Sequence, residues 1–378
     1  MTRGLALRIW IGFAIALAVK YLIENQAHTV YPCFATASFH WWKGWSMFDR
    51  KVMPHDYRYS PGFAVLFSLF AYIPSPWGAL LWAEFNLCAL WLGLQGLIQR
   101  ILPVSWTDRQ VGWFLTLSLL GTARSLWPSQ CNLLILSMGI AALVLIQDRR
   151  WWWGGLFLVA PIFIKVWPAA LLLLCLPLYP KRLPMPVIFW TVVLAIFPFL
   201  TQTYFYVRSE YHEWYLAMVG PISARTTSYD AWAVWEVIHR PVSSLGYSIL
   251  QIAAGGILFL TVILRKLGGV SIRTQHAFLL WGWTSWQVLF GPGVERVTLG
   301  IVAPLSAWVV LEAWPCIRSR VPAILGFGLT QIAINVNFER GEWQSPYWFL
   351  LHPVGMALLW IAFALRPAGE EELSLDQD

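Results

Sequence analysis

The sequence predicts an all-α, polytopic membrane protein, and two features of its composition carry that prediction. Of its 378 residues, 58% are hydrophobic and only 12% are charged, whereas about 25% of the residues in a soluble domain are usually charged. The apolar residues are grouped in runs of helical length, which need lipid to cover them. Because a helix needs about 20 residues to cross a bilayer and several runs are shorter, we expect about ten to thirteen transmembrane helices, some of them broken.

Tryptophan is the second compositional signal, with 26 residues that cluster as at Trp41-Trp42 and 151–153 or stand singly near the ends of runs. Indole rings prefer the headgroup boundary of a bilayer, with the apolar body inward and the N–H outward. Most of these residues are therefore predicted to form membrane-interface belts, and a minority could stack on a sugar.

The net charge of +7 does not indicate a nucleic-acid partner, because the basic residues are spread over short loops without an aromatic-basic motif. Retention of short loops in the cytoplasm and attraction to anionic headgroups explain the charge. The five cysteines are scattered without metal-ligand spacing and are interpreted as small core residues.

The first part of the chain predicts a helix and then a surface helix. Arg3 and Arg8 precede an apolar run and no small-residue cleavage site follows, so we expect an uncleaved helix with its basic end in the cytoplasm. From Glu24 to Ser60 aromatic residues recur at near-helical spacing, which indicates an amphipathic surface helix in the first external loop. A polar cluster follows, comprising Asp49, Arg50, Lys51, His55, Asp56 and Arg58.

Later apolar runs predict the remaining spans, at about 61–73, 79–98, 111–126, 132–146, 152–164, 167–178, 186–206, 243–264, 276–292, 298–314, 321–335 and 347–365. Residues 1–366 are interpreted as one integral-membrane domain, and the acidic tail over 367–378 is predicted to be disordered. Basic pairs flank both ends of the stretch from 149 to 182, so charge counting leaves the orientation of these spans open.

The stretch from Trp127 to Pro168 holds the strongest functional candidate. It opens on Ser129, Gln130 and Asn132, and it ends with the lone Lys165 between apolar residues. A charge at membrane depth costs on the order of 3 kcal/mol or more unless it faces a cavity or a partner. We therefore predict that Lys165 is functional. If both flanking basic pairs are cytoplasmic, its stretch forms two half-spans that meet at Lys165 beside Gln130 and Asn132.

Two later polar segments supply further candidates. Residues 207–241 lack a strong helical pattern and are interpreted as a binding loop or lid, with Arg225, Asp230, His239 and Arg240 as candidates. Between two later spans, a Gly/Pro turn brings together the adjacent acid and base Glu295 and Arg296. Solvation explains the loop residues equally well, and the last pair could instead contact other helices.

Two motifs carry a resemblance to a known family. RYSPGFAVLFSLFAYIPSPWGALLWAEFN is similar to a pattern of tyrosine-x-tyrosine-proline-proline, an apolar run, leucine-tryptophan and asparagine. The stretch over 129–174, which begins SQCNLL and contains IKVWP, is similar to a glycine-glutamine-x-asparagine-leucine-leucine run that is followed by isoleucine-lysine-x-x-proline. The positions in register are Gln130, Asn132, Leu133, Leu134, Gly155, Ile164, Lys165 and Pro168. Over roughly 29–315 the chain resembles glycosyltransferase family 87, the polyprenol-phosphate-mannose-dependent mannosyltransferases.

The resemblance implies a C-type glycosyltransferase, an all-helical enzyme that takes a sugar, here mannose or another hexose, from a polyprenyl phosphate. Its implied partners are membrane lipid, the polyprenyl-phosphate-linked sugar, and a glycan or glycolipid acceptor. Its implied place is a bacterial plasma membrane with the active site facing outward. No fixed cofactor is implied, and a divalent metal stays open. The chain departs from the family at 29–34, where TVYPCF stands in place of an aspartate stretch, and at 291–296, where GPGVER replaces a pattern that contains serine and histidine.

Transfer from a lipid phosphate needs a base for the incoming hydroxyl and cations for the departing phosphate. The predicted catalytic carboxylates are Asp49, Asp56 and Glu295, with Glu24 as a further candidate. The predicted substrate-binding residues are Arg58, Gln130, Asn132, Lys165, Arg225 and Arg296. Gln130 and Asn132 could instead cap the helix that begins there.

Two other functions stay open at this point. A transporter or flippase of lipid-linked sugars would use broken helices and an intramembrane lysine equally well, although no internal repeat is evident. A non-catalytic relative would keep the lipid groove without the acid.

Overall fold

The computed structural model describes residues 1–24, 29–49, 51–53, 56–102, 104–219, 229–238, 242–291, 294–336 and 346–366. In these residues it holds sixteen α-helices and no strand, which confirms the predicted all-α class. The helices are α1 (Arg3–Glu24), α2 (Tyr31–Lys43), α3 (Pro61–Ala71), α4 (Trp77–Gly96), α5 (Asp108–Leu126), α6 (Asn132–Gln147), α7 (Trp151–Ile164), α8 (Ala169–Cys175), α9 (Pro184–Ile196), α10 (Tyr204–Val219), α11 (Trp232–Val237), α12 (Ser244–Leu267), α13 (Ile272–Phe290), α14 (Ala303–Ala313), α15 (Ile317–Asn335) and α16 (Leu351–Leu365).

Five helical stretches in the described part of the chain are long and apolar enough to cross a membrane, namely Arg3–Glu24, Trp77–Ile101, Leu245–Leu267, Arg296–Ala313 and Tyr347–Leu365. Four apolar helical stretches are shorter, namely Pro61–Ala71, Asn132–Gln147, Trp151–Ile164 and Pro184–Leu200. The protein is an integral, multi-pass membrane protein. The short apolar helices agree with the expectation that several spans are incomplete.

The region around residue 200 differs from the prediction. The expected span over 186–206 is broken, because α9 ends at Ile196, a 3₁₀ turn covers Phe197–Leu200, and α10 begins at Tyr204. Pro198 has no N–H for a helical bond, which explains the break. The interpretation of 207–241 as a loop was wrong for its first part, because α10 continues to Val219. Contacts hold α10 in place: the hydroxyl of Tyr211 donates to the Ala195 carbonyl at 2.9 Å.

The chain divides into two compact units. The first unit comprises Ile11–Gly93 and Leu126–Ser223, and in it α2 packs on α3, α6 on α7, and α7 on α9. The second unit comprises Met1–Trp10, Leu94–Ser125 and Ala224–Asp378, and in it α15 packs on α16 and α12 on α13. Close approach of α15 and α16 depends on glycine, since a Cβ on Gly326 would lie 2.6 Å from the Gly355 carbonyl oxygen.

An aromatic cluster forms the core of the first unit where α2, α3 and α4 meet. The ring of Phe34 contacts Tyr59 at 4.8 Å, and Phe63 and Phe67 at 5.2 Å each, between ring centroids. Trp82 closes the cluster at 5.0 Å from Phe67. Aromatic pairs at edge-to-face angles contribute about 0.5–1.5 kcal/mol beyond their buried area. The cluster therefore holds Tyr59, and with it the segment before α3, in a fixed position.

We expect Gly155→Ala to destabilise the first unit. Gly155 lies where α7 meets α9, and an added Cβ would come within 2.7 Å of the Pro186 Cβ, which sits on a rigid ring. Overpacking of this kind costs about 1–3 kcal/mol, so the midpoint of thermal unfolding in detergent should fall. Gly256→Ala is the matched control, because a Cβ there has nothing within 4 Å. Equal midpoints for the two variants would contradict the close packing of α7 on α9.

Candidate functional site

A small polar cavity lies in the first unit between the chain before α3 and α10. We call it the Arg58 cavity; it has a volume of ≈ 180 Å³ and is lined by Phe48, Met53, Asp56, Tyr57, Arg58, Glu213, Leu216 and Ala217. Within it, Arg58 Nη2 lies 3.5 Å from Asp56 Oδ2, and both side chains are partly exposed. An exposed ion pair contributes little to stability. Either the Asp56 carboxylate or the Arg58 guanidinium can therefore leave its partner and bind a ligand at a low cost in free energy.

The segment from Asp56 to Ser60 is held by its buried tyrosines. Tyr57 is buried, lies 5.4 Å from the Tyr59 ring, and donates from its hydroxyl to the Ser60 carbonyl at 3.3 Å. Ser60 is the N-cap of α3, accepting from the Phe63 N–H at 3.2 Å, and its hydroxyl donates to the Phe163 carbonyl at the end of α7. Because both tyrosines are fixed, the intervening Arg58 has a defined position at the cavity.

Lys165 sits at a break between two half-helices, as its sequence predicts. α7 ends at Ile164, the backbone of Lys165 is extended (φ −139°, ψ 145°), and α8 begins after Pro168. The ammonium of Lys165 donates to Asn132 Oδ1 at 2.9 Å and lies 5.5 Å from the centroid of the Tyr59 ring. An amide oxygen and an aromatic face both stabilise a cation that is half removed from water. The structure therefore joins Lys165, Asn132 and the Asp56–Ser60 segment.

Asn132 and Gln130 do not cap α6 with their side chains. The N-cap is Cys131, which makes no side-chain cap bond, and Asn132 is the first helical residue. Asn132 is buried, and its side-chain oxygen Oδ1 accepts a hydrogen bond from the Lys165 ammonium. Gln130 is 7% exposed, and its Oε1 has no hydrogen-bond partner among the described residues. A buried acceptor without a partner costs about 1–3 kcal/mol, so Gln130 is a candidate for binding a donor group of a ligand.

Asp49 lies in a different cavity from Asp56. This second cavity, which we call the Trp45 cavity, has a volume of ≈ 410 Å³ and is lined by His40, Trp45, Ser46, Asp49 and Val52. Asp49 is exposed, and its Oδ1 accepts from the Lys51 N–H at 2.9 Å. The two candidate carboxylates of the first polar segment are thus assigned to separate sites.

The remaining predicted residues do not join these cavities. Glu295 and Arg296 belong to the second unit, where Arg296 Nη1 donates to the Val336 carbonyl at 3.0 Å and fastens the end of α15. Glu295 is exposed and precedes a 3₁₀ turn. Glu24 is the exposed last residue of α1. Arg225 lies outside the described residues, as do Arg50, His55, His239 and Arg240.

Glu210 is a buried acid that the sequence reasoning missed. It lies on α10, is 3% exposed, and its Oε2 accepts from the Met47 N–H at 3.0 Å. Burial raises the pKa of this carboxyl to about 7, although the bond from Met47 opposes the shift. Along the chain Met47 lies between Ser46 of the Trp45 cavity and Phe48 of the Arg58 cavity, so Glu210 fixes the backbone that joins the two linings. The only sequence signal was an acid within the aromatic run YFYVRSEYHEWY.

The described residues contain no group of three or more His, Cys, Asp and Glu side chains that could hold a metal ion.

We expect the stability of the protein to fall between pH 5 and 8 partly through Glu210. Its pKa is raised above the ordinary value, so its favourable contribution is complete below about pH 4.5 and is lost as the pH rises through about 7. The facing titratable groups are Tyr57, Tyr206 and Glu213. Gln at this position cannot ionise, so the free energy of unfolding of Glu210→Gln should fall less over this range, by an amount on the order of 2 kcal/mol. Exposed Glu295→Gln is the control, and identical pH profiles for wild type and Glu210→Gln would refute the assignment.

These features define a class of protein: a polytopic membrane protein in which a carboxylate, a guanidinium and an ammonium are arranged around one short segment. Such groups suit a substrate that carries a phosphate. The family model of glycosyltransferase family 87 matches residues 57–271, more than half of the chain, and the chain belongs to that family. It is a membrane glycosyltransferase. Comparison with curated proteins finds no match. The matched range contains Arg58, Gln130, Asn132, Lys165 and Glu210, whereas Asp49, Asp56 and Glu295 lie outside it.

Proposed function

We propose that the protein transfers a hexosyl group, with mannosyl as the first candidate, from a polyprenyl phosphate to a lipid-linked or envelope glycan acceptor. The observation that carries the proposal is the Asp56–Ser60 segment. It places Asp56 and Arg58 in one cavity and brings Tyr59 to 5.5 Å from the Lys165 ammonium. Asp56 and Arg58 belong to this segment of five residues, and the ring contact of Tyr59 connects the segment to the Lys165 ammonium.

The reaction assigns a role to each of these groups. The acceptor hydroxyl attacks C1 of the donor sugar, the bond from C1 to the phosphate oxygen breaks, and the hydroxyl proton passes to the Asp56 carboxylate. Arg58 and Lys165 stabilise the negative charge that grows on the departing polyprenyl phosphate. Gln130, whose Oε1 is buried without a partner among the described residues, accepts a hydrogen bond from a sugar hydroxyl.

The position of Asp56 supports its choice as the base. Arg58 and Asp56 already form an ion pair, so the arrival of the donor phosphate would draw the guanidinium away and release the carboxylate for the acceptor proton. Glu213 lines the same cavity and is the second carboxylate to test.

The proposed place of the reaction is the outer face of a bacterial plasma membrane. The basic residues before the first apolar helix support a cytoplasmic N-terminus. If α1 crosses the membrane, the chain that follows it, with α2 and Asp56, begins on the outer side.

The first test is sugar transfer from radiolabelled polyprenyl-phosphate mannose by the purified protein in nanodiscs with native membrane acceptors. We expect Asp56→Asn to lower the rate by about 10²-fold or more, since a general base contributes that much. Lys165→Met should lower it by about 10²- to 10³-fold through loss of charge stabilisation. Lys20→Met is the control, because Lys20 is likewise a lysine of an apolar helix but donates to the Trp127 carbonyl at 2.7 Å, away from the Asp56–Ser60 segment.

Each other outcome has a definite meaning. Full activity of Asp56→Asn with loss in Glu213→Gln, Asp49→Asn or Glu295→Gln would move the base to that residue. An equal loss in Lys165→Met and Lys20→Met would assign both lysines to packing. Polyprenyl phosphate that binds but is never used, with several lipid-linked sugars, would identify a non-catalytic relative. Movement of such a lipid between leaflets without transfer would identify a flippase.

A further inference from the structure

The Trp45 cavity is larger than the Arg58 cavity and has a different lining. At ≈ 410 Å³ it falls within the range of small-molecule sites, roughly 300–1,000 Å³. Its described lining residues include a carboxylate, an imidazole and an indole, and none of them is lysine or arginine. The proposed transfer step uses no side chain of this cavity.

His40 offers an acceptor to the cavity. Its Nδ1 lies 2.7 Å from the Ser46 carbonyl oxygen, and because a carbonyl only accepts, Nδ1 carries the hydrogen. In the neutral ring Nε2 is then an acceptor. His40 is only 9% exposed, and Nε2 has no hydrogen-bond partner in the described residues. His40 is a largely buried residue that lines the cavity, so its Nε2 is an acceptor available to a ligand there.

Asp49 offers a second acceptor. Its Oδ1 is used by the Lys51 N–H, which fixes the carboxylate, while Oδ2 has no partner in the described part of the chain. The backbone supports this placement, since the Asp49 carbonyl accepts from the N–H groups of Val52 at 3.2 Å and Met53 at 3.0 Å.

Trp45 offers a fixed aromatic surface. The residue is 54% exposed, and its backbone is fixed, because the backbone N–H donates to the His40 carbonyl at 2.9 Å and the backbone carbonyl accepts from the Tyr206 hydroxyl at 2.7 Å. The indole meets the His40 ring edge-on at 5.5 Å, and the Lys43 ammonium lies 4.5 Å from its centroid. A ring held in this way loses little conformational entropy when a ligand stacks on it.

This combination fits a neutral polyhydroxyl ligand. The Asp49 and His40 acceptors suit hydroxyl donors, and the indole suits the apolar C–H face of a pyranose ring. A phosphate is disfavoured, because the described lining residues include the Asp49 carboxylate and no lysine or arginine, while the nearby Lys43 ammonium lies against the indole. The ligand of this cavity should therefore be an uncharged sugar unit rather than the donor's lipid phosphate.

We propose that the Trp45 cavity binds a neutral hexose unit of the acceptor glycan, with Trp45 stacking on the ring and with Asp49 and His40 accepting from its hydroxyls. The identification of this sugar as the acceptor rests on the proposed function. It is supported by chain continuity, because Ser46 lines this cavity, Phe48 lines the Arg58 cavity, and the buried Met47 lies between them.

The test measures sugar binding without any donor lipid. Saturation-transfer difference NMR would be recorded on the purified protein in nanodiscs with the methyl pyranosides of mannose, glucose and galactose. We expect at least one of them to bind to the wild type, and Trp45→Ala to weaken its binding on the order of tenfold, since a stacking contact of 1–2 kcal/mol corresponds to that factor. Asp49→Ala should weaken it similarly.

Trp42→Ala is the matched control, because Trp42 is also exposed on α2 but its Nε1 donates to Ser68 Oγ at 2.7 Å and it does not line the cavity. The proposal is overturned if no pyranoside binds to the wild type, if binding survives in Trp45→Ala and Asp49→Ala, or if Trp42→Ala weakens it equally. Binding is scored separately from transfer. A bound sugar without mannosyl transfer would count against the proposed function alone, and transfer without sugar binding here would count against this proposal alone.

Discussion

The ammonium of Lys165 requires polar partners, and the arrangement of the first unit depends on how they are supplied. Asn132 accepts its hydrogen bond at the start of α6, and the Tyr59 ring covers it from the chain that precedes α3. Three separate parts of the sequence are thereby brought together at one charge. Without these partners an ammonium in apolar surroundings would be costly, so the same contacts that satisfy the charge also define the site.

The supporting contacts extend from that charge into the core. Tyr59 belongs to the aromatic cluster around Phe34, and Ser60 links the start of α3 to the carbonyl of Phe163 at the end of α7. A shift of the Lys165 break would therefore disturb both α3 and α7. Buried polar groups whose hydrogen bonds are all formed favour a single packing arrangement. This explains why a region of short and broken helices can hold the side chains of the site in defined positions.

The sequence predicted the all-α class and the importance of Lys165, because apolar runs of helical length indicate membrane helices and a single lysine within such a run is unusual. The break at Lys165 and its closeness to Asn132 were predicted only on the condition that both flanking basic pairs are cytoplasmic, because charge counting left the orientation open. Glu210 could not be found this way, because α10 is not an apolar run and its burial arises only when Met47 of a distant loop packs on it. Sequence also placed Asp49 and Asp56 in one cluster. Their assignment to two cavities depends on the bonds from the Val52 and Met53 N–H groups to the Asp49 carbonyl and on the buried Met47, which sequence patterns do not reveal.

The two cavities differ in the neighbours of otherwise similar carboxylates. Asp56 lies beside the Arg58 guanidinium, so an anion can enter by replacing the carboxylate as the partner of the arginine. Asp49 has an indole and an imidazole beside it, and an anion that entered this cavity would meet the negative charge of its carboxylate. The proposed transfer from a lipid phosphate to a neutral glycan would use both environments. Along the chain only the buried Met47 separates the lining residues Ser46 and Phe48, and the Glu210 carboxyl holds the Met47 N–H, so this one contact fixes the backbone between the two linings.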